Sequence, residues 1–336
     1  MTTTDPYSDI MRLLTGYRIS QAIHVAATLG VADLLKEGPR TTDDLAAATN
    51  TESRTLYRLL RTLAAAGVFR EETHRQFSLA PMGEYLRTDA TRSVGPFAAF
   101  IGRPYVWEPW GHLLHSVRTG ENAFHHVHGV SQWDYQSGHP EEAALFARGM
   151  TGYSTGIVEA VLRAYDFSSF ACVVDVGGGE GTQLAAILAR YPAMRGILLD
   201  QPDTVIRAQP VLAAAGVNER CDVVGGTFLE AVPGGGDAYL LKFILHDWGD
   251  ADSLTIQQNC RQACKANAKL LVLERVVGPP NEGLATKFAD LQMLVGPGGE
   301  ERSEGEFAAL FAAAGFRLEK IIAVTQGLCI LEGLPT

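Results

Sequence analysis

The spacing of hydrophobic and polar positions changes period about halfway along the chain. Over residues 171–336, short apolar runs alternate with amphipathic stretches. The runs predict strands over 171–176, 196–200, 221–225, 237–245 and 269–274, then near 321–325 and at 328–332. Helical spacing fills the gaps over 182–190, 204–215, 252–264 and 304–314. Regular alternation of this kind implies an α/β fold with a doubly wound, mainly parallel sheet. Ligands on such sheets bind beyond the carboxyl ends of the strands, at the switch point. That rule lines up Asp175, Asp200, Thr227, His246 and Glu274 along one edge.

The first half reads differently. Residues 8–92 predict short helices followed by a small hairpin. Ile23, Ala26, Ala27 and Leu34 recur near helical spacing within 20–35. Thr41-Thr42-Asp43-Asp44 is an N-cap cluster ahead of a helix at 45–48. Thr51-Glu52-Ser53 opens the next helix, whose apolar face is Leu56, Leu59, Leu60 and Leu63, and Gly67 stops it. Residues 68–70 and 76–79 then alternate as two strands around a polar turn. Three helices and a hairpin are the order of a winged helix. Arg54, Arg58 and Arg61 on its third helix are placed to contact phosphates. Asp43 and Asp44 close upstream favour instead a solvated face, or pairing across a subunit interface.

Residues 93–170 read as mostly helical and rich in aromatic and histidine side chains. The run His125-His126-x-His128 fits no common zinc spacing, and neither clustered Cys nor carboxylate accompanies it. It reads as a loop beside a substrate pocket, or as surface histidines.

Composition narrows the classes. A length of 336 residues suggests two domains. The net charge of −10 argues against nucleic-acid or anionic-membrane binding. No apolar run reaches membrane-spanning length, and residues 1–15 lack the regions of a signal peptide. The five cysteines, Cys172, Cys221, Cys260, Cys264 and Cys329, form no C-x-x-C pair. An odd count without secretion signals predicts reduced thiols in a cytoplasm.

The candidate chemistry begins at Val173-Val174-Asp175-Val176-Gly177-Gly178-Gly179-Glu180-Gly181-Thr182. A buried-strand pattern runs there into a glycine turn and then a helix. Glycine lets the chain turn tightly and lets a ligand approach bare backbone. A dinucleotide fingerprint wants G-x-G-x-x-G, whereas these glycines fall at 177, 179 and 181. Asp200 closes the second strand, where a carboxylate can accept from both ribose hydroxyls of a nucleoside. That role suits S-adenosylmethionine or NAD equally, and a helix N-cap is the plain alternative. Phe228, in Gly225-Gly226-Thr227-Phe228, is placed either to cover an adenine ring or to serve as core.

His246 follows the fourth strand in Leu240-Leu241-Lys242-Phe243-Ile244-Leu245-His246-Asp247-Trp248. An imidazole there can take a proton near neutral pH. Two carboxylates are candidates to orient it: Glu274 at the end of the fifth strand and Glu301 after Gly296-Pro297-Gly298-Gly299. One carboxylate on one ring nitrogen fixes the tautomer and leaves the other nitrogen as base. Either glutamate is alternatively a solvated charge or the partner of Arg275 or Arg302.

Together D-V-G-G-G-E-G, L-L-D-Q-P, G-G-T-F, L-H-D-W and P-G-G-E-E-R-S resemble the S-adenosylmethionine-dependent small-molecule O-methyltransferases of plant phenolic and bacterial natural-product metabolism. The resemblance covers nearly the whole chain. It implies a winged-helix dimerisation domain at 1–92, a helical linker and substrate-pocket region at 93–170, and a Rossmann-like methyltransferase domain at 171–336. It implies His246 as base flanked by Glu274 and Glu301, with no metal. It places Ser154, Gly177, Gly179, Asp200, Thr227, Phe228 and Lys242 around S-adenosylmethionine, whose product is S-adenosylhomocysteine. It assigns Phe146, Met150, Tyr153 and Asp247 to the pocket of an aromatic hydroxylated substrate, and it implies a homodimer. Thr227 stands where plant members usually carry Asp. Rival readings are carbon or nitrogen methylation, non-methylation chemistry on the same fold, an S-adenosylmethionine-sensing DNA-binding regulator and an NAD-linked oxidoreductase.

Overall fold

Gly30, at φ 65°, breaks the first apolar helical stretch. This computed structural model describes residues 5–325 and 327–336, the side chains of 153–155 excepted. In it the stretch read as one helix over 20–35 is two helices, Gly16–Thr28 and Val31–Leu34. Two compact units divide the chain. One takes in residues up to Gly111 together with Asp134–Thr155, and the other His112–Trp133 with Gly156–Thr336.

In the first unit the capping signals act as read. Thr41 caps the helix Thr42–Thr49 by accepting from the Asp44 amide, and Glu52 caps Ser53–Ala65 by accepting from the Arg54 and Thr55 amides. Gly67, at φ 80°, turns the chain into a three-stranded antiparallel sheet. Its strands are β1 (Arg40–Thr41), β2 (Phe69–Thr73) and β3 (Gln76–Leu79), in the order β1-β3-β2. Leu56, Leu60 and Leu63 are buried with Phe69 and Phe77, while Leu59 stays half-buried. Burial of each such side chain stabilises the unit by roughly 1.5–3 kcal/mol. The result is the winged-helix order.

The second unit is built on β4 (Cys172–Val176), β5 (Arg195–Asp200), β6 (Cys221–Gly225), β7 (Ala238–Lys242), β8 (Lys269–Val277), β9 (Arg302–Ser303), β10 (Phe316–Thr325) and β11 (Leu328–Pro335). The sheet order is β10-β11-β8-β7-β4-β5-β6, with β9 pairing β8. The pairs from β6 to β8 are parallel; β11 pairs antiparallel with both β8 and β10. Because successive strand residues point to opposite faces, Val173, Leu240, Leu271 and Leu273 feed one core layer and Val174, Leu241, Leu270 and Val272 the other. Burial on both faces explains the near-continuous apolar runs. The order reverses between β4 and β7, which puts the switch point at the glycine turn after β4.

Several element boundaries differ from the expected ones. The stretch 204–215 splits into helices Pro202–Val205 and Ala208–Ala214, because Pro210 is tolerated only in the first turn of a helix. The strand β8 runs on to Val277, and β10 begins at Phe316, both extended by pairing with neighbouring strands. The strand β7 stops at Lys242 rather than 245, since Phe243 takes φ 55°. The five cysteines are free. Among the described residues, no helix is long and apolar enough to cross a membrane.

Candidate active site

The turn after β4 is shaped by what a side chain would strike. Gly177, Gly179 and Gly181 have φ of 72°, 61° and 79°, a region glycine enters without steric cost. A β-carbon on Gly177 would lie 2.5 Å from the Ile244 side chain and 3.1 Å from Phe228. One on Gly178 would lie 2.6 Å from the Asp175 carboxylate. Above Gly179 there is nothing within 4 Å. The turn is thus packed from beneath and open over its middle glycine.

The Asp200 carboxylate tethers this turn, accepting from the Gly179 amide at 2.7 Å and from the Gln201 amide at 2.7 Å. A carboxylate offers about four lone-pair sites, so Asp200 can still accept from a nucleoside. Burial pushes Asp200 above the usual carboxylate range, against the amides that favour its charge. Asp175 is fully buried with no hydrogen-bond partner among the described residues for either oxygen, and burial carries it up to about 7. Thr227 and Phe228 follow β6, and the Phe228 ring meets Trp248 edge-on at 5.9 Å. Lys242 ends β7 with its amine held below its usual range by burial, while Asp175 and Glu274 oppose that effect.

His246 does not sit on the strand itself. Phe243 in the left-handed region turns the chain sharply into a 3-10 turn, Leu245–Asp247, and that turn carries the imidazole. Such a conformation is an outlier for a bulky residue and is held by its surroundings. The Phe243 ring stacks on His246 at 5.5 Å and 21°, with the Lys242 amine at 5.4 Å and the Arg275 guanidinium at 5.3 Å from its centroid.

Three carboxylates surround the imidazole. Nδ1 lies 3.2 Å from Glu301 Oε1 and 3.5 Å from Glu274 Oε2, and Nε2 lies 3.5 Å from Asp247 Oδ1. The two glutamates divide the work. Glu301 is within hydrogen-bond reach of the ring. Glu274 accepts from the main chain, from the Ile244 amide at 2.9 Å and the His246 amide at 3.4 Å, and so holds the turn. Both are buried, so neither is a solvated loop charge. Arg275 does approach Glu301, at 3.5 Å, while Arg302 goes elsewhere.

Burial disfavours the charged imidazole, but Glu274 first, then Asp247 and Glu301, outweigh it and carry His246 up to about 10. Burial likewise lifts Glu274 to about 7 and Asp247 to about 6, against the pull of His246. The ring therefore rests as an imidazolium at neutral pH. One atom each from His246, Glu274 and Glu301 also lie within 4.8 Å of one another, close enough to hold a small cation.

Four further residues shape this site without having stood out as chemistry. The fully buried Arg302 donates to the carbonyls of Leu245 at 2.9 Å and Trp248 at 2.9 Å, which bracket His246. Its other bonds run to Asp250 and Glu300. Gly299 lets the preceding turn press against the His246 main chain. Asn122 donates to the carbonyls of Leu294 and Gly296, bracing that turn. Asp290 accepts from the Glu301 amide at 3.0 Å. Their types and positions were visible, in P-G-G-E-E-R-S above all; their partners were not.

Phe146 and Met150 belong to the first unit, on the helix Pro140–Ala164, where the Phe146 ring meets Phe100 edge-on at 5.2 Å. The side chains of Tyr153 and Ser154 lie outside the described residues. Within the second unit, the carboxylates of Asp175, Asp200, Asp247, Glu274 and Glu301 outnumber the cationic side chains of Lys242, His246 and Arg275. The open glycine and the Asp200 carboxylate that tethers its amide fit a nucleoside cofactor of the S-adenosylmethionine kind.

Comparison with known proteins agrees with that chemistry. The family described as O-methyltransferase domain matches residues 110–317, and the O-methyltransferase dimerisation domain matches residues 11–89. The phenazine O-methyltransferase PhzM of Lysobacter antibioticus is 42% identical over 328 residues, spanning 98% of this chain and 96% of that protein. The crystal structure of LaPhzM is similar with a TM-score of 0.96 and 42% identity, covering 99% of this chain and 100% of that one. So is an O-methyltransferase (NcsB1) from neocarzinostatin biosynthesis, in complex with S-adenosylmethionine and 2-hydroxy-5-methyl naphthoic acid. That similarity has a TM-score of 0.80 and 32% identity, covering 95% and 96% of the two chains.

Proposed function

This chain belongs to the O-methyltransferase family and is an S-adenosylmethionine-dependent O-methyltransferase, and from that premise we propose that it methylates a hydroxyl of a flat aromatic molecule of secondary metabolism, with His246 as general base. The observation that carries this reading is the approach of Glu301 Oε1 to Nδ1 of His246 at 3.2 Å, at the carboxyl edge of the sheet beside the glycine turn. The aromatic acceptor is supported by the phenazine and naphthoate named for the relatives above. S-adenosylmethionine, when bound, supplies a methyl group already activated by a positively charged sulfur, and is converted to S-adenosylhomocysteine.

The chain's own residues do the rest. Glu301, accepting from Nδ1, fixes the tautomer and turns the lone pair of Nε2 toward the substrate hydroxyl. The deprotonated fraction of His246 takes the hydroxyl proton on Nε2, and the oxygen becomes the stronger nucleophile. Glu274, Glu301 and Asp247 then stabilise the imidazolium. They raise its pKa against the effect of burial, which strengthens the ring as a base toward a phenol. General-base catalysis of this kind contributes on the order of 10²–10⁴ in rate. Orientation of the bound groups supplies the larger part.

Around the cofactor we assign Gly177, Gly179, Asp200, Thr227, Phe228 and Lys242, with Ser154 from the helix Pro140–Ala164. Phe146, Met150, Tyr153 and Asp247 are assigned to the acceptor pocket. The dimerisation-domain match supports a homodimer assembled through residues 1–92, with 93–170 as pocket region and 171–336 as methyltransferase domain.

The test is mass spectrometry of phenolic acceptors incubated with trideuteromethyl S-adenosylmethionine and either the chain or His246→Ala. A product carrying one deuterated methyl in place of hydrogen is expected, lost in the variant while calorimetry finds S-adenosylhomocysteine affinity nearly unchanged. Unchanged turnover in the variant would remove the base assignment. Product NMR placing the methyl on nitrogen or carbon would overturn the acceptor chemistry.

A further inference from the structure

We propose that His115, Glu121 and His126 form a binding site for a divalent transition-metal ion, separate from the His246 cluster. The local fold assembles it. Helices Leu113–Thr119 and Ala123–His128 are joined through Gly120, whose φ of 74° reverses the chain. Asn122 starts the second helix by accepting from the His125 amide at 2.8 Å. The reversal returns Glu121 to His115, with Oε2 at 2.7 Å from Nε2. The His115 and His126 rings lie face to face at 3.7 Å and 15°.

One donor atom from each of the three residues falls within 4.8 Å of the others. Two imidazoles and a carboxylate make a nitrogen–oxygen set that suits zinc, cobalt, nickel or copper rather than calcium or magnesium. A fourth position falls to water or to His125, whose Nδ1 is 3.6 Å from the other Glu121 oxygen. Chain spacing hides the set. The contiguous His125-His126-x-His128 run contributes one member, and the others come from across the turn.

The site also has a mechanical consequence. Glu121 precedes Asn122, which braces Leu294 and Gly296 at the head of the turn leading to Glu301. An ion bound at Glu121 would stiffen that brace, and this holds whichever acceptor the enzyme uses.

Zinc chloride titrated calorimetrically into the full, untagged chain is expected to bind at one site per chain, with affinity on the order of micromolar, and to raise the melting temperature. The double variant His115→Ala/His126→Ala should lose both effects while keeping the zinc-free melting temperature and S-adenosylhomocysteine affinity. Glu121→Gln, which preserves shape, should weaken zinc binding. Affinity only in the millimolar range would overturn the proposal. So would micromolar binding that survives in the double variant, because the ion would then sit elsewhere, with the His246 cluster the first place to look.

Discussion

Gly299 lies against the main chain of His246 so closely that a β-carbon on it would come within 2.0 Å of the His246 carbonyl oxygen. The next nearest atoms are also backbone, at Asp247 and Trp248, so no side chain can swing away to make room. This approach seats the Gly296-Pro297-Gly298-Gly299 turn and, two residues on, delivers Glu301 to Nδ1. Gly299→Ala should therefore cost about 1–3 kcal/mol of stability, the range of a forced overpacking. Turnover should fall more than the lost stability explains. Urea unfolding and kcat measured on the same preparation test this, and normal kcat in a folded variant would show that the Glu301 contact is dispensable.

Arg302 is expected to behave as a positioning residue. Its guanidinium, 1% exposed, ties the Leu245 and Trp248 carbonyls to Asp250 and so sets the turn that carries His246. Arg302→Lys keeps a charge but loses the planar fork that spans these acceptors. Each buried acceptor left unmet costs about 1–3 kcal/mol. The lysine variant should lower kcat roughly 10-fold or more, about 1.4 kcal/mol in the barrier, with little change in KM. A change confined to KM would argue for a role in binding instead.

Turnover should climb with pH. With His246 as the proposed base, the productive state needs one proton fewer than its imidazolium, whose pKa stands near 10. Log kcat should therefore slope upward through neutrality and level off in the alkaline range, provided chemistry limits the rate. His246→Gln should flatten the profile.

Stability should move the opposite way. A histidine raised from 6.5 to about 10 contributes stability that is fully present below pH 6.5 and lost as pH rises through 10. Glu274 and Asp247, raised by burial to about 7 and about 6, act in the same direction at lower pH, because the folded chain holds their protons more tightly than the unfolded one. The melting temperature should thus decline from weakly acid to alkaline buffer. A rise across that range would contradict the burial of these charges.

The glycine turn offers a separation of roles. Gly177→Ala meets Ile244 at 2.5 Å and should unsettle the fold, whereas Gly179→Ala points into open space. Both add the strain of a left-handed residue, about 1–2 kcal/mol. Gly179→Ala should weaken S-adenosylhomocysteine binding in calorimetry by more than its loss of stability accounts for. Equal effects on both quantities would mean that the turn is purely structural.

The chain's sequence by itself determined the elements and their kind. Caps at Thr41 and Glu52, the stop at Gly67 and the helix Thr182–Arg190 follow from near neighbours, and near neighbours are legible in one dimension. The alternation of β4 to β8 with helices fixed a parallel sheet, and the glycine turn with Asp200 and His246 marked the edge that carries the candidate site. Tertiary structure decided the partnerships. Glu301 reaches His246 across 55 residues of chain, Glu274 holds the turn's amides, and Arg302 ignores the adjacent Glu301 for carbonyls far back in sequence. Phe243 ends β7 early because packing holds it at φ 55°, which local preference disfavours. His115 meets Glu121 and His126 only because a left-handed Gly120 folds one helix back toward the next. Such contacts depend on sheet order and on how closely two stretches of backbone can approach, and neither is written in the spacing of residue types.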